Sequence, residues 1–130
     1  MNAKFFNIAA SDTDGEIDFY QHDDITGSSI LKQIEVETEL NGNLIKVPTK
    51  RLDSIITKYP KGPCLLKIDT QGSELAVLRG AEGILNQIDM IVCEVSFHEF
   101  RHDAPEVTEV IIAMNDYGYV PYEILEGHYR

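Results

Sequence analysis

Residues 65–80 read LLKIDTQGSELAVLRG, and this stretch decides the fold class of the chain. A run of apolar residues ends at Asp69, Gly72 predicts a tight turn, and an amphipathic helix begins near Ser73. A strand, a turn and a helix in this order are typical of an open α/β sheet, which binds ligands at the carboxyl ends of its strands. Asp69 is therefore either a functional carboxylate at a ligand edge or the polar end of a strand.

The alternation of strands and helices continues towards the C-terminus. The first helix carries a stripe of apolar residues, which are Leu75, Leu78, Ala81 and Leu85, and Gly80 and Gly83 within it can divide it in two. A second buried strand, a helix with Pro105 at its first position and Gly118 at its end, and a last strand are predicted over residues 90–95, 105–118 and 119–125. Helical connections of this length predict parallel strands with right-handed crossovers.

The N-terminal half predicts antiparallel hairpins instead. Asp14-Gly15 is a hairpin dipeptide, and Asn41-Gly42 predicts a type I′ turn between two alternating segments. The predicted elements are a strand over 5–10, a half-buried strand over 16–21, a hairpin over 34–47 and a short helix within 51–59. We therefore expect one α/β domain over residues 1–130, with a mostly parallel sheet and added antiparallel hairpins.

Composition narrows the class of partner. The chain has 130 residues, 43% of them hydrophobic, and a formal net charge of −11. An acidic protein repels phosphate backbones and anionic membrane surfaces, so we expect no nucleic-acid and no membrane partner. Lys46, Lys50 and Arg51 form at most a small basic patch, which we interpret as a solvated strand face. No secretory signal and no apolar run of about 20 residues is present, and Cys64 and Cys93 fit buried cytoplasmic thiols, so we expect a cytoplasmic protein.

Two acidic residues follow predicted parallel strands. Asp69 ends one strand and Glu94 lies near the end of the next, so both acids approach one sheet edge if the strands are neighbours. Such a pair can act as a general base, a metal ligand or a hydrogen-bond acceptor, although Lys67 and Glu94 could instead form a structural pair. Glu74 opens the following helix, either as a charge favourable to the helix dipole or as a binding residue.

His98-Glu99-Phe100-Arg101-His102 matches the H-E-x-x-H pattern of zinc hydrolases. That pattern needs a helix, whereas a strand precedes it here and a helix opens only at Pro105. We interpret the two histidines as loop residues and predict no metal site.

Several segments together resemble the FkbM-type S-adenosylmethionine-dependent methyltransferases. They are Asn7-Ile8-Ala9-Ala10-Ser11-Asp12, Asp14-Gly15 with the aromatic strand after it, Ser28-Ser29, VPTKRLD over 47–53, Lys67-Ile68-Asp69-x-Gln71-Gly72-x-Glu74, Leu78-x-Gly80-Ala81 and Glu94. The resemblance covers nearly the whole chain.

The resemblance implies a Rossmann-like methyltransferase fold and methylation of a hydroxyl on a sugar or small metabolite, with S-adenosyl-L-methionine as cofactor. It places the segment Ala10, Ser11, Asp12 at the end of the family's third strand, near the adenine of the cofactor. It places Asp69 beside the sulfonium and substrate, and Glu94 and His98 on the substrate side. From these positions we expect Asp69, Glu94 and His98 to be catalytic, and Gln71 and Glu74 to contact substrate.

The first residues match the family's third strand, so the resemblance implies an incomplete fold that lacks the glycine-rich cofactor loop. We therefore expect weak or absent activity from this chain alone. An incomplete sheet leaves an open edge, which predicts a homo-oligomer or a complementing partner. A non-catalytic interaction module is the second hypothesis, and a zinc hydrolase using His98 and His102 is a remote third.

Overall fold

A computed structural model describes residues 3–21, 29–31, 43–58, 61–97 and 103–125. The described elements run in chain order as β1 (Ala9–Ala10), β2 (Gly15–Gln21), β3 (Asn43–Lys50), α1 (Leu52–Ile55), β4 (Leu65–Ile68), α2 (Glu74–Gly80), a 3₁₀ turn (Leu85–Gln87), β5 (Met90–Cys93) and α3 (Val107–Asp116). The mixed α/β class is confirmed. No helix among these residues is long and apolar enough to cross a bilayer.

The described strands form two sheets rather than the one continuous sheet predicted. The first has the order β1-β3-β2, in which β1 runs parallel and β2 antiparallel to β3. The second pairs β4 and β5 in parallel, with Ile68 opposite Cys93. β1 contributes only two ladder residues, both to β3, so no described ladder links the two sheets.

The strand over 16–21 is confirmed, but its predicted hairpin with the preceding strand is wrong. β1 and β2 lie on opposite sides of β3, so Asp14-Gly15 turns the chain without pairing the strands that flank it. β1 is also shorter than predicted, and the side chain of Phe5 is 93% exposed. The short helix within 51–59 spans only Leu52–Ile55. Most of the predicted hairpin over 34–47 falls outside the described residues. Its last part lies in β3, which spans Asn43–Lys50.

The hydrophobic core lies between α2, the sheet of β4 and β5, and α3. Its buried members are Ile68, Val77, Leu78, Ala81, Ile84, Leu85, Ile88 and Val110. Three of the four residues in the predicted stripe are among them, and Leu75 packs against the cluster. The prediction that β4 is buried throughout is wrong: Leu65 is 59% exposed, because described residues cover only one of its two faces.

Gly80 ends α2 at a close backbone approach. A Cβ atom added to Gly80 would lie 2.0 Å from the carbonyl oxygen of Ser11, just after β1. The chain then turns at residues 81–84 before the 3₁₀ turn begins. The predicted division of this helix is therefore confirmed, and contact with β1 explains why a glycine stands at its end.

α3 begins two residues later than predicted. Glu106 is its N-cap, and Glu106 and Glu109 form a reciprocal capping box in which the Glu106 N–H donates to Glu109 Oε2 at 2.9 Å. Pro105 therefore precedes the helix instead of opening it. Gly118 follows the last turn with a left-handed φ of 89°, as expected of a residue that stops a helix.

The predicted last strand over 119–125 is not formed. No described strand pairs with these residues, and a strand needs a ladder partner for its backbone groups. Tyr119 is instead held by its side chain, because its hydroxyl oxygen lies 2.7 Å from the carbonyl oxygens of both Leu85 and Ile88. Val120 and Tyr122 beyond it are 76% and 93% exposed.

Candidate functional site

The two strand-end carboxylates meet at one sheet edge. Asp69 follows β4 and Glu94 follows β5, directly after the paired residues Ile68 and Cys93. The Glu94 N–H donates to the Ile68 carbonyl oxygen at 2.9 Å, which extends the ladder by one bond. The predicted convergence of these two acids is confirmed, while the catalytic role of each stays a prediction.

Gln71 connects the two carboxylates. Its side-chain Nε2 lies 3.2 Å from Glu94 Oε1 and 3.4 Å from Asp69 Oδ1. An amide nitrogen carries two hydrogens, so one group can donate to both acids. This bridge holds two negative charges close together in an exposed position.

Lys67 neutralises part of that charge. Its Nζ donates to Asp69 Oδ2 at 2.5 Å, so the structural partner of Lys67 is Asp69 and not Glu94. The Lys67 ammonium is the main reason that the pKa of Asp69 is lowered; partial burial opposes this, and the hydrogen bond from the Gln71 amide acts in the same direction as Lys67. The same ion pair raises the pKa of Lys67. Asp69 is therefore ionised at neutral pH.

The turn between Asp69 and α2 is strained and braced from within. Gln71 has a φ of 56°, a left-handed conformation that non-glycine residues seldom adopt, and Gly72 follows with a φ of 113°. Glu74 is 4% exposed, and its Oε1 accepts hydrogen bonds from the Gly72 N–H at 2.9 Å and the Thr70 hydroxyl at 3.1 Å. The Glu74 carboxylate therefore faces the turn, and a substrate contact by it stays a prediction.

Ser29 braces the same turn from outside. It is 1% exposed, and its hydroxyl donates to the Gln71 carbonyl oxygen at 2.9 Å and accepts the Leu31 N–H at 3.0 Å. The backbone of Ser29 pairs in both directions with Tyr20 in β2. Sequence reasoning gave Ser29 no role at the site, because 42 residues separate it from Gln71 and no spacing pattern signals such a contact.

Cys93 lies beside the acids, where its surroundings disfavour the reactive thiolate. Burial, with the nearby charges of Glu74, Asp69 and Glu94, raises the pKa of its thiol to about 12. A reactive cysteine needs a lowered pKa. Cys64 and Cys93 are both free and half-buried.

Ala10, Ser11 and Asp12 lie at the other end of α2, a helix about 10 Å long. Ser11 is 5% exposed and its N–H donates to the Lys50 carbonyl oxygen at 3.0 Å. Asp12 Oδ2 accepts a 3.0 Å bond from Arg79 Nε. These residues thus hold α2 against β3, and their predicted contact with the cofactor is untested.

Arg51 completes this contact and is not part of a solvated basic face. Its guanidinium binds both carboxylate oxygens of Asp53, at 2.9 and 2.6 Å, and donates to the carbonyl oxygens of Asp12 and Arg79, each at 3.0 Å. The Arg51 guanidinium lowers the pKa of Asp53, and Asp53 in turn raises the pKa of Arg51. Asp53 also accepts the Gly83 N–H at 3.2 Å. We call this set of contacts around Arg51 and Asp53 the Arg51 hub. No local sequence pattern indicates it, because it joins four separate segments of the chain.

A groove of about 290 Å³ begins at the turn and follows the outer side of α2. Gly72 and Ser73 form one end, and apolar residues line much of it, which are Ile30, Leu31, Leu75, Ala76 and Pro105. Arg79, Asp103 and Glu109 contribute charged side chains.

His98 and His102 fall outside the described residues, so the predicted role of His98 is untested. Across the part of the chain that the structure describes, no three His, Cys, Asp or Glu side chains are grouped so that they could hold a metal ion. Among the described residues, the zinc-hydrolase hypothesis has no support.

A scan against protein families matches residues 1–121 to the methyltransferase FkbM domain. Neither the curated proteins nor the solved structures contain a match to this chain. The family match covers more than nine-tenths of the 130 residues, including both acids, the Gln71 turn and the Arg51 hub. The chain therefore belongs to the FkbM methyltransferase domain family.

Proposed function

We propose that the chain is an S-adenosylmethionine-dependent methyltransferase domain acting on a hydroxyl group of a sugar or another small metabolite. Membership of the FkbM family supports methyl transfer. The observation that carries the site is the pair Asp69 and Glu94, bridged by the Gln71 amide at the carboxyl edge of two parallel strands. Open α/β sheets bind their ligands at this edge.

Asp69 has the properties of a positioning group. Its carboxyl is ionised because Lys67 lowers its pKa, so it can accept a hydrogen bond from an acceptor hydroxyl. An efficient general base has a pKa near the working pH, and a lowered pKa makes Asp69 a weak base. We therefore assign to Asp69 the orientation of the hydroxyl and not the removal of its proton.

Proton removal falls to Glu94 or His98. Glu94 shares the Gln71 bridge, so its carboxylate lies beside the place where Asp69 would hold the hydroxyl. An ordinary imidazole titrates near neutral pH, which suits His98 chemically. Methyl transfer mainly requires that the acceptor oxygen be held in line with the methyl group. Proton removal by either base therefore adds to the rate acceleration that orientation provides.

The charge of the site suits the proposed cofactor. S-adenosylmethionine supplies an electrophilic methyl group on a cationic sulfonium, and two exposed carboxylates offer a favourable field for a cation. We expect Asp69 to lie beside the sulfonium of the cofactor. We expect Ala10, Ser11 and Asp12 to lie near its adenine. The carboxylate of Asp12 already binds Arg79 in α2. If this segment also contacts the adenine, it does so while it holds α2 in place.

The groove beside the turn is lined by Gly72 and Ser73 but not by Asp69, Gln71 or Glu94, so it adjoins the carboxylates without containing them. Its volume of about 290 Å³ is just below the range for small-molecule sites, which begins at about 300 Å³. Its mixture of apolar and charged walls suits a compact molecule with both kinds of surface.

The test combines cofactor binding with methyl transfer. A version of the protein that also carries the family's glycine-rich cofactor loop should show a higher melting temperature with S-adenosylhomocysteine and should transfer labelled methyl groups to members of a panel of sugars and small alcohols. Residues 1–130 alone should do so weakly or not at all. Asp69→Asn should lower turnover far more than it lowers stability. Asp18→Asn is the matched control, since Asp18 forms a comparable exposed pair with Lys46 at 3.0 Å. Wild-type turnover in Asp69→Asn would refute the role of Asp69.

A non-catalytic interaction module is the second candidate. Exposed apolar side chains favour it, since Val120, Ile124 and Leu125 are 76%, 76% and 67% exposed. The two-strand sheet also has no further described ladder partner, and such edges recruit other chains. This candidate, and the predicted homo-oligomer or complementing partner, require association. Light scattering that gives a monomer at high concentration, with no protein partner bound, would count against it.

A further inference from the structure

Two buried contacts hold one peptide group in the turn after Asp69. The Gln71 carbonyl oxygen accepts the Ser29 hydroxyl at 2.9 Å, and the Gly72 N–H donates to Glu74 at 2.9 Å. These two atoms belong to the same peptide plane, so both of its hydrogen-bonding groups are taken. The plane cannot rotate unless one of these bonds breaks.

The orientation of that peptide decides where the Gln71 side chain lies. Gln71 has a φ of 56°, and a non-glycine residue keeps such a conformation only where surrounding contacts impose it. In this conformation its Nε2 reaches both Asp69 and Glu94. A relaxed φ would carry the amide away from the bridge.

Ser29 is suited to impose this conformation. It is 1% exposed, so water does not compete for its hydroxyl, and that hydroxyl donates one bond and accepts another. Backbone bonds to Tyr20 at 2.8 and 3.2 Å fix Ser29 to β2, in the other sheet. The rigid ladder of β2 with β3 therefore supports the turn from outside.

We propose that Ser29 is a positioning residue of the Asp69–Glu94 site, acting through the Gln71 carbonyl to hold the amide bridge between the two carboxylates. This role in methyl transfer rests on the proposed function. The coupling from Ser29 to the carboxylates is a property of the fold and can be measured without any substrate. The charged groups of the described residues that face Asp69 are Lys67 and Glu94, and Ser29 changes neither of them directly.

The experiment is NMR spectroscopy of the carboxyl carbons of Asp69 and Glu94 and of the Gln71 side-chain amide. Ser29→Ala should move the Gln71 amide signals towards those of a solvated glutamine and raise the titration midpoint of Asp69. The rise should equal that caused by Gln71→Ala, because both variants remove the same bond. In the double variant the shift should not increase further.

Two further variants separate positioning from general stability. Ser54→Ala is the matched control, because the Ser54 hydroxyl also donates to a backbone carbonyl, that of Arg51 at 2.8 Å. This substitution should leave the titration midpoint of Asp69 unchanged. Ser29→Thr keeps the hydroxyl and should restore the wild-type midpoint. If Ser29→Ala does not fold, Ser29→Cys, of similar size with a weaker donor, takes its place. A folded variant with wild-type Gln71 signals and Asp69 midpoint, or additive shifts in the double variant, would overturn the proposal whether or not methyl transfer is found.

Discussion

At Asp69 the protonation state is set by its neighbours more than by burial. Lys67 is its ion-pair partner at 2.5 Å, and the Gln71 amide adds a longer bond. Both favour the ionised carboxyl, while partial burial opposes it. Glu74, five residues later, is different, because it is buried and its oxygen is used inside the turn.

The first prediction concerns Lys67. Lys67→Met should raise the titration midpoint of Asp69, because the main cause of its lowered pKa is removed. The folded pKa of Asp69 lies below its unfolded value of about 3.9, so the pair contributes stability above that pH. This contribution is lost as the pH falls through the folded pKa.

At the alkaline end, the raised pKa of Lys67 gives the opposite sign. Its contribution is present below the unfolded value of about 10.4 and is lost as the pH rises through the folded pKa. Carboxyl NMR titration and denaturation between acid and neutral pH measure the Asp69 effect, and denaturation between neutral and strongly alkaline pH measures the Lys67 effect. Lys46→Met, which breaks an exposed pair with Asp18, is the control, and an unchanged Asp69 midpoint in Lys67→Met would contradict the prediction.

The second prediction concerns Glu74. Glu74→Ala leaves the Gly72 N–H and the Thr70 hydroxyl without their acceptor and should reduce the free energy of unfolding by about 2–3 kcal/mol. Glu74→Gln keeps an acceptor oxygen and should cost less. Urea denaturation measures both, with the exposed Glu16→Ala as reference. An unchanged free energy of unfolding in Glu74→Ala would mean that the carboxylate does not brace the turn.

At the scale of elements, α2 is the part on which the site depends. Its first turn begins at the Asp69 loop, its inner face supplies Val77 and Leu78 to the core, and its last residue meets the backbone of Ser11. It has only seven residues and would not be stable as an isolated helix. Its position is therefore fixed by tertiary contacts.

The third prediction tests the contact at the end of α2. Gly80→Ala would place a Cβ atom 2.0 Å from the Ser11 carbonyl oxygen and 2.8 Å from its carbon, so backbone must shift. We expect a loss of about 3 kcal/mol in the free energy of unfolding. Gly15→Ala is the matched control, because its nearest atom would be Thr49 Oγ1 at 3.9 Å, and it should be within about 0.5 kcal/mol of wild type. Equal stability of the two variants would show that α2 is not tightly seated on β1.

At the scale of the whole molecule, the two sheets are joined through the ends of α2. Ser29 connects β2 to the turn before the helix, and Arg51 connects the end of β3 to the carbonyl of Arg79 within the last turn. Both contacts pass from one sheet to the segment that carries the site. The sheet of β1, β3 and β2 therefore acts as a support for the carboxylate edge of β4 and β5.

The fourth prediction belongs to this scale. Arg51→Lys should lower the melting temperature, because an ammonium cannot reproduce the two-oxygen fork to Asp53 together with bonds to the carbonyls of Asp12 and Arg79. Calorimetry measures the shift. Lys46→Gln provides the comparison, as the exposed pair of Lys46 and Asp18 should contribute little. A melting temperature equal to that of Lys46→Gln would mean that the hub does not join the sheets.

Features that depend on neighbouring residues could be predicted from the amino-acid sequence. The strand, turn and helix around Asp69, the parallel pair of β4 and β5, the division of the helix near Gly80 and the stop at Gly118 were all predicted. Hydrophobic period, turn chemistry and glycine conformation act over a few residues, so they can be read without the fold.

Contacts between distant groups could not be predicted and became clear from the packing of the elements. β1 and β2 flank β3 instead of pairing, residues 119–125 find no ladder partner among the described strands, and Ser29 reaches Gln71 across 42 residues. These outcomes depend on how separate elements pack. The residues around Ser29 contain no pattern from which its contact with Gln71 could be predicted. The sequence thus placed two acids at one edge, and the packing of one sheet against α2 decided how they are held there.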